Sequence, residues 1–228
     1  MNEGKVTQQF SLRHQKGHLF IHIDGDDWLL DTGAPTSFGT NCVAIGGQKF
    51  PIPNNYMGLD AEELSGFVKC PTSGIIGADV LNGFDTLIDI RQGLVLFSAE
   101  EISLEGETVE MTDFMGIPVI QANIGGSDRK MFFDTGAQIS YLQDDSLVNF
   151  PSIGVVSDFY PGFGEFETET YRVDTMLGTT KFELICGSLP GMLEMTLGIA
   201  GVEGIIGNEI LMERTLGYCP RRRLLVLS

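Results

Sequence analysis

The sequence predicts an all-β protein of two related lobes, and three observations lead there. The string Trp28-Leu29-Leu30-Asp31-Thr32-Gly33-Ala34 returns as Met131-Phe132-Phe133-Asp134-Thr135-Gly136-Ala137. A second pair follows at a distance: Gly74-Ile75-Ile76-Gly77-Ala78-Asp79-Val80-Leu81 recurs as Gly204-Ile205-Ile206-Gly207-Asn208-Glu209-Ile210-Leu211, and the match continues ungapped through 94–98 against 224–228. With 29 Gly, 15 Phe and a hydrophobic share of 43% in 228 residues, the composition suits a turn-rich β protein with a real core. The repeat divides the chain into a lobe over 1–103 and a lobe over 104–228.

Taken in order, the apolar alternation over 6–12 and again over 18–23 predicts two strands. Asp24-Gly25-Asp26-Asp27 reads as a turn, which hands the chain to Trp28-Leu29-Leu30 and so to Asp31. Cys42 to Phe50 looks like a hairpin around Gly46-Gly47, ended by Pro51 and Pro53. Helix formers with Leu64, Phe67 and Val68 at helical spacing predict a short surface helix over 61–69. The acidic stretch 99–107 reads as the connection between lobes.

The second lobe repeats the hairpin that delivers its aspartate, with strands at 109–111 and 118–124 and a turn at Gly125-Gly126-Ser127-Asp128. The lobes then diverge. Asp31 to Gly74 spans 43 positions and Asp134 to Gly204 spans 70, so the second lobe carries 27 more, most of them around 155–177. There Val155 to Phe159 and Phe166 to Val173 flank Tyr160-Pro161-Gly162-Phe163-Gly164, a hairpin tip with aromatic neighbours, and Phe182 to Gly187 follows as a strand.

In each copy an apolar triplet runs into a carboxylate and then a glycine turn, so two acids arrive at strand ends by the same route. If the halves face each other, the carboxylates meet at the seam and share one proton between like charges. One Asp-Thr-Gly is a common tripeptide and, alone, reads best as a loop-capping aspartate. Two, each followed by Gly-Ile-Ile-Gly, favour a catalytic pair.

This pattern resembles the aspartic proteases of the pepsin and retroviral-protease clan across almost the whole chain. The resemblance implies a two-lobed acid-protease fold, each lobe a small closed β-barrel-like sheet, with the active site at the lobe interface. Asp31 and Asp134 match the catalytic pair, and Thr32 and Thr135 match the threonines that brace the two loops. Gly33, Ala34, Gly136 and Ala137 match residues beside the substrate, and the amides of the two glycines or their neighbours would steady the charged carboxylate. Alanine after both glycines is more similar to retroviral proteases than to pepsins, which usually carry serine or threonine there. The hairpin with Tyr160, Gly162, Phe163 and Gly164 looks like the clan's flap, over the substrate, against the bland reading of a surface hairpin. Ile45-Gly46-Gly47 lies too close to Asp31 to be one, and matches instead the strand after a missing flap. The expectation is an aspartic endopeptidase that needs no cofactor or metal and takes a polypeptide in extended conformation. The alternative is a non-catalytic peptide-binding module on the same fold. A two-carboxylate glycosidase ranks last, because it needs its two acids in different surroundings.

Charge and cysteines bound the rest. A formal net charge of −17 argues against nucleic acid, since phosphate binding needs clustered Lys and Arg. The one basic run, Arg221-Arg222-Arg223, falls between strand-like segments and reads as an exposed hairpin turn. Four aspartates over 24–31 lack the glycine and distal glutamate of a calcium loop, and His14, His18 and His22 sit in strand-patterned sequence where four-residue spacing does not converge on one ion. Cys42, Cys70, Cys186 and Cys219 show no zinc spacing and read as free, partly buried thiols, with one disulfide per lobe as the other option. Nothing reads as a membrane span, and the polar start Met1-Asn2-Glu3-Gly4 is no signal peptide. The expectation is a monomer, cytoplasmic if Met1 is native and secreted or periplasmic if a leader has been removed.

Overall fold

The computed structural model describes residues 7–228 except 41, 161 and 162, and for 192–194 the backbone alone. The start Met1-Asn2-Glu3-Gly4, the first residue of the strand read over 6–12, and Gly162, expected at the tip of a flap, therefore lie outside the described residues. The protein is predominantly β.

In the first half, β1 (Thr7–Gln15), β2 (His18–Ile23) and β3 (Asp26–Leu30) form a meander whose turns are Lys16-Gly17 and Asp24-Gly25. Both residues of each turn have positive φ, the pairing that lets a two-residue turn follow the right-handed twist of its strands. Asp26 and Asp27 belong to β3 rather than to the turn, and Asp27 takes Arg13 and His22 as partners. Next come β4 (Phe38–Gly39), the hairpin β5 (Val43–Ile45) and β6 (Gln48–Phe50), and the two-residue strands β7 (Asn55–Tyr56) and β8 (Leu59–Asp60). Helix α1 (Ala61–Phe67) starts on a capping box: the Asp60 carboxylate accepts from the amides of Glu62 and Glu63, while Glu63 reaches back to the Asp60 amide. Then follow β9 (Gly74–Ile76), the single turn α2 (Ala78–Leu81), β10 (Asp85–Asp89) and β11 (Leu94–Ser98).

The second half runs β12 (Glu107–Phe114), β13 (Ile117–Ile124), β14 (Ser127–Phe133) and β15 (Ser140–Leu142), then the long strands β16 (Ser152–Tyr160), β17 (Gly164–Leu177) and β18 (Thr180–Ser188). Helix α3 (Gly191–Ala200), β19 (Gly204–Ile206), α4 (Ile210–Glu213), β20 (Leu216–Cys219) and β21 (Leu224–Leu227) complete it. No helix among the described residues is long and apolar enough to cross a membrane.

One antiparallel sheet joins the halves in the order β1-β11-β10-β20-β21-β12. The order is a palindrome of repeat positions, with Thr86 of β10 opposite Tyr218 of β20 at its centre. The stretch 99–107, read as the connection, leaves β11 and at Glu107 already enters β12 on this sheet's far side. It is clamped by Asp85, a fully buried carboxylate that receives the Ile102 amide at 3.1 Å and the guanidinium groups of Arg221 and Arg222 at 3.0 and 2.6 Å. Burial pushes Asp85 up, but that amide and the two guanidiniums outweigh it and hold the carboxyl below its ordinary range. The Arg221–Arg223 run is thus an exposed hairpin connection, as read, and from it Arg221 and the partly buried Arg222 also reach Asp85, a buried acid.

A second expectation changes. The β5–β6 hairpin forms as read, but among the described residues it pairs only with itself, whereas β18 of the second half pairs in parallel with β15. It therefore does not take the place in the first half that β18 takes in the second, contrary to the match read from the sequence. Val43 and Ile45 are buried in the core, Gln8 accepts the Gly46 amide at 2.8 Å, and Phe50 meets Phe84 edge-on, so the hairpin caps the first half's apolar interior. All four cysteines are free thiols, Cys42 exposed and the other three buried.

Candidate active site

Each Asp-Thr-Gly follows a strand whose three last residues are buried: Trp28, Leu29 and Leu30 in β3, Met131, Phe132 and Phe133 in β14. Three apolar residues in succession face cores on both sides, which is why the triplets do not alternate. Each strand is flanked in parallel by its Gly-Ile-Ile strand, β3 by β9 and β14 by β19, and the same central strand pairs on its other edge in antiparallel with β4 or β15. The last ladder bonds run from the amide of Asp31 to the Ile76 carbonyl at 3.0 Å and from that of Asp134 to the Ile206 carbonyl at 2.9 Å. Both acids therefore leave their sheets from rigid, identically paired backbone.

The two loops lock through their threonines. The Thr32 hydroxyl donates to the Phe133 carbonyl and the Thr135 hydroxyl to the Leu30 carbonyl, both at 2.8 Å. Each hydroxyl accepts the other threonine's amide at 3.0 Å. Four reciprocal bonds between side chains with at most 1% exposure pin one loop to the other. Each contributes on the order of 1 kcal/mol, and its partners cost more if left unpaired in the interior.

This brace brings the carboxyls of Asp31 and Asp134 within hydrogen-bonding reach of each other. A Cβ built on Gly33 would lie 2.2 Å from Cγ of Asp134, and one on Gly136 would lie 2.5 Å from Cγ of Asp31. The glycines are required for space: each passes under the opposite half's carboxylate where no side chain fits. Amides then point at the acids, Ala34 to Asp31 at 2.8 Å, and Gly136 and Ala137 to Asp134 at 2.8 and 3.3 Å.

Burial is the largest cause holding Asp31 well above its ordinary range; the charge of Asp134 adds to it, and the amides of Ala34 and Gly33 oppose it. Asp134 is also raised, first by burial and further by the charge of Asp158, against the hydrogen bond from Asp31 and two amides. One carboxyl of such a pair keeps its proton where an isolated aspartate has lost it.

A further repeat supports each loop. Ser37 and Ser140 stand six positions after their aspartates, and each hydroxyl accepts the amide of the Gly that ends Gly-Ile-Ile-Gly, at 2.8 Å from Gly77 and 3.1 Å from Gly207. Each serine donates in turn to an acid two residues later, Asp79 at 2.6 Å and Glu209 at 3.2 Å. Burial pushes the Glu209 carboxyl up to about 7 despite bonds from the Ile185 amide and Ser140.

Around this symmetric centre the surroundings differ. The Lys16-Gly17 turn of the first half docks on the second loop: the Gly17 carbonyl accepts from Asn208 at 2.8 Å, and buried His18 donates from Nδ1 to the Gly136 carbonyl at 3.1 Å. Burial lowers the His18 pKa, against the bond to the Gly136 carbonyl and the charges of Asp158 and Asp134. The hairpin of β16 and β17 reaches over the same loop, with Gln138 donating to the Ser157 carbonyl at 3.0 Å and the Tyr141 hydroxyl bonded to the Asp158 carboxylate. Tyr160 lies close enough to both aspartates that, after burial, their charges raise its hydroxyl pKa, with Tyr56 of the β7–β8 hairpin a lesser electrostatic neighbour. Phe163 packs edge-on against Phe166 of its own hairpin and is partly exposed, while Gly164 opens β17 opposite Tyr160 with φ of 97°.

Sequence reading did not find His18, Tyr56, Gln138, Tyr141 or Asp158; of these Tyr141 has a counterpart at the matching repeat position, Phe38, but one without a hydroxyl. The Ser37/Asp79 and Ser140/Glu209 pairs carried a usable signal, since they recur at fixed offsets. Among the described residues, no group of three or more His, Cys, Asp or Glu is arranged to hold a metal ion. No family model and no curated protein matches the chain.

Proposed function

We propose that the protein is an aspartic endopeptidase with a two-lobed acid-protease fold. The observation that carries this reading is the pair of carboxyls, Asp31 and Asp134, delivered from matched strand ends into hydrogen-bonding reach and braced by four reciprocal threonine bonds. The palindromic sheet between the halves supports the fold assignment.

A water held between the carboxyls loses a proton to the ionised aspartate and attacks the scissile carbonyl carbon. The protonated aspartate hydrogen-bonds the carbonyl oxygen as negative charge develops there. The tetrahedral intermediate then collapses, the C–N bond breaks, and the leaving amine takes a proton from the dyad, which returns to its singly protonated state. The amides of Ala34, Gly136 and Ala137 hold the ionised form in place, and burial with mutual repulsion keeps the second proton on. An extended substrate lies beneath the β16–β17 hairpin, with Tyr160 near the acids.

The carboxyl spacing argues against a glycosidase, whose acids stand about 5 Å apart or more to leave room for a sugar carbon or a water. Incubation with a pool of unfolded polypeptides across weakly acidic to neutral pH, with and without a pepstatin-type inhibitor, tests the proposal. Inhibitor-sensitive cleavage supports it. Saturable peptide binding without cleavage by pure protein would instead indicate the peptide-binding module.

A further inference from the structure

The second half alone supplies a long hairpin over the acids, which leaves open how the first half takes part in closing the site; the inference rests on the flap reading given above. Strand β16 presents alternate residues to opposite sides. Val156, Asp158 and Tyr160 turn to their own half, where Val156 and Tyr160 pack on the cluster that includes Phe132 and Tyr141, and Asp158 bonds the Tyr141 hydroxyl. Phe159 turns the other way. It packs on the first half's cluster of Phe20, Leu29 and Phe38, and its ring lies parallel to that of Phe67, centroids 4.9 Å apart and planes 5° from parallel. The His18 ring lies on it at 6.1 Å.

Phe67 is the last residue of α1, a helix fixed on three counts: the Asp60 capping box at its start, Ala61 and Leu64 buried beneath it, and Ser65 bonded to both the amide and the carbonyl of Thr72. The hairpin it meets is less secured. Among the described residues β16 pairs only with β17, so its outer edge carries no neighbouring strand. A cleft of about 390 Å³ opens between these partners, walled by Phe67 and Val68 on one side and by Ser157, Asp158 and Phe159 on the other, with Gln138 at its base.

We propose that Phe67 is a positioning residue for the flap: its stack with Phe159 is a clasp that seats the single hairpin across the seam and sets the closed geometry in which substrate is held. The stack itself joins two half-buried rings and no ions, although His18, Lys16, Lys69, Asp158 and Glu165 line the cleft beside it. A substrate backbone enters by parting the rings and is retained when they meet again or close on one of its apolar side chains.

Removing one ring of such a stack shifts the closing equilibrium by about two- to tenfold. Phe67→Ala should therefore raise KM for a peptide substrate by that factor with kcat nearly unchanged, and Phe67→Tyr, which keeps the ring, should restore it. Hydrogen exchange on the protein without substrate gives a second readout: amides over 155–160 should exchange faster in Phe67→Ala by a similar factor, while those of β3 and β14 stay as protected as before. Unchanged exchange over 155–160, or a Phe67→Tyr protein as impaired as Phe67→Ala, overturns the clasp. Should Phe67→Ala fail to fold, Phe159→Ala, on the hairpin rather than the helix, is held to the same outcomes. If the wild-type protein cleaves no peptide, the peptidase reading falls and hydrogen exchange alone decides the clasp. If it cleaves peptides and exchange is unmoved, the clasp falls and the peptidase reading stands.

Discussion

The two Asp-Thr-Gly loops share their hydrogen-bond pattern and nearly their distances, 2.8 Å for both threonine hydroxyls and 3.0 Å for both threonine amides, whereas the segments between each loop and its Gly-Ile-Ile-Gly strand have little in common. The first half spends that segment on two short hairpins and α1; the second spends it on β16, β17, β18 and α3. The contrast separates two physical demands. Two like charges sharing one proton need matched positions and matched donors, so both loops are held to one design. In the proposed reading, a lid over a single cleft is needed once, and the other side requires only something for it to rest on.

The most damaging test of the symmetric part is to neutralise each acid in turn. Asp31→Asn and Asp134→Asn should each lower kcat by about 10²- to 10⁴-fold, the usual contribution of general acid–base catalysis. Both proteins should fold, and Asp31→Asn should melt higher than wild type at neutral pH. The sign follows from the raised pKa: the folded state binds the proton more tightly than the unfolded state, so stability falls as pH rises from the ordinary aspartate range through the raised one. The advantage of the amide should vanish at acidic pH. Activity surviving in one variant only would mean the halves are not chemical equals.

The asymmetric part is tested by deletion. Shortening the β16–β17 tip should raise KM on the order of tenfold, about 1.4 kcal/mol of lost strand-like contact with substrate. Shortening the Gly46-Gly47 turn should leave KM alone and cost stability, because Val43 and Ile45 seal the core beneath it. The reverse result would put the lid in the first half.

The brace between the loops comes next. Thr32→Ala and Thr135→Ala each strip two bonds from buried backbone groups and should destabilise by on the order of 2 kcal/mol, a Tm lower by several degrees for a chain of this size. Serine at either position should recover most of the loss. Equal losses are expected, since the bonds are equal; a marked difference would show that one loop is held by its own half and the other by the brace.

How far these features were legible follows the same division. The loops, the strands that deliver them and helix α1 could be read because their signals are local or repeated: an apolar triplet ending in Asp, turns with glycine, helix formers with apolar residues at helical spacing. The glycines of Gly-Ile-Ile-Gly were legible as a repeat but not in their role, which is to let the Phe38 and Tyr141 carbonyls approach to 2.0 and 2.1 Å of where a Cβ would stand on Gly74 and Gly204. His18 on Gly136, Phe67 on Phe159 and the two arginines on Asp85 join residues some 90 to 140 positions apart with no counterpart in the other half, so neither period nor repeat announces them. The β5–β6 hairpin was assigned its strands correctly and its neighbours wrongly for that reason: a hairpin's own turn is written in its sequence, while what it packs against is not.

The smallest expected effect bears on how the two acids titrate, and it turns on Ala34 and Ala137. Their amides already donate to Asp31 and Asp134 at 2.8 and 3.3 Å, so a hydroxyl on the same residues would stand beside the same carboxylates. A donor favours the charged form and lowers the pKa; without one, burial and mutual repulsion are less opposed, which puts the activity window toward weakly acidic or near-neutral pH. Ala34→Ser with Ala137→Ser should move the acidic limb of the kcat/KM profile downward by up to about one pH unit, the equivalent of one added hydrogen bond per carboxyl. The single variants sharpen the comparison between halves. If the pair titrates as one unit, Ala34→Ser and Ala137→Ser should each shift the same limb by a similar, smaller amount. If one aspartate is always the base, only the serine beside it will move the acidic limb and the other will move the basic limb. A double variant that folds and leaves both limbs in place would mean that burial sets the titration of the dyad and the neighbouring donors do not.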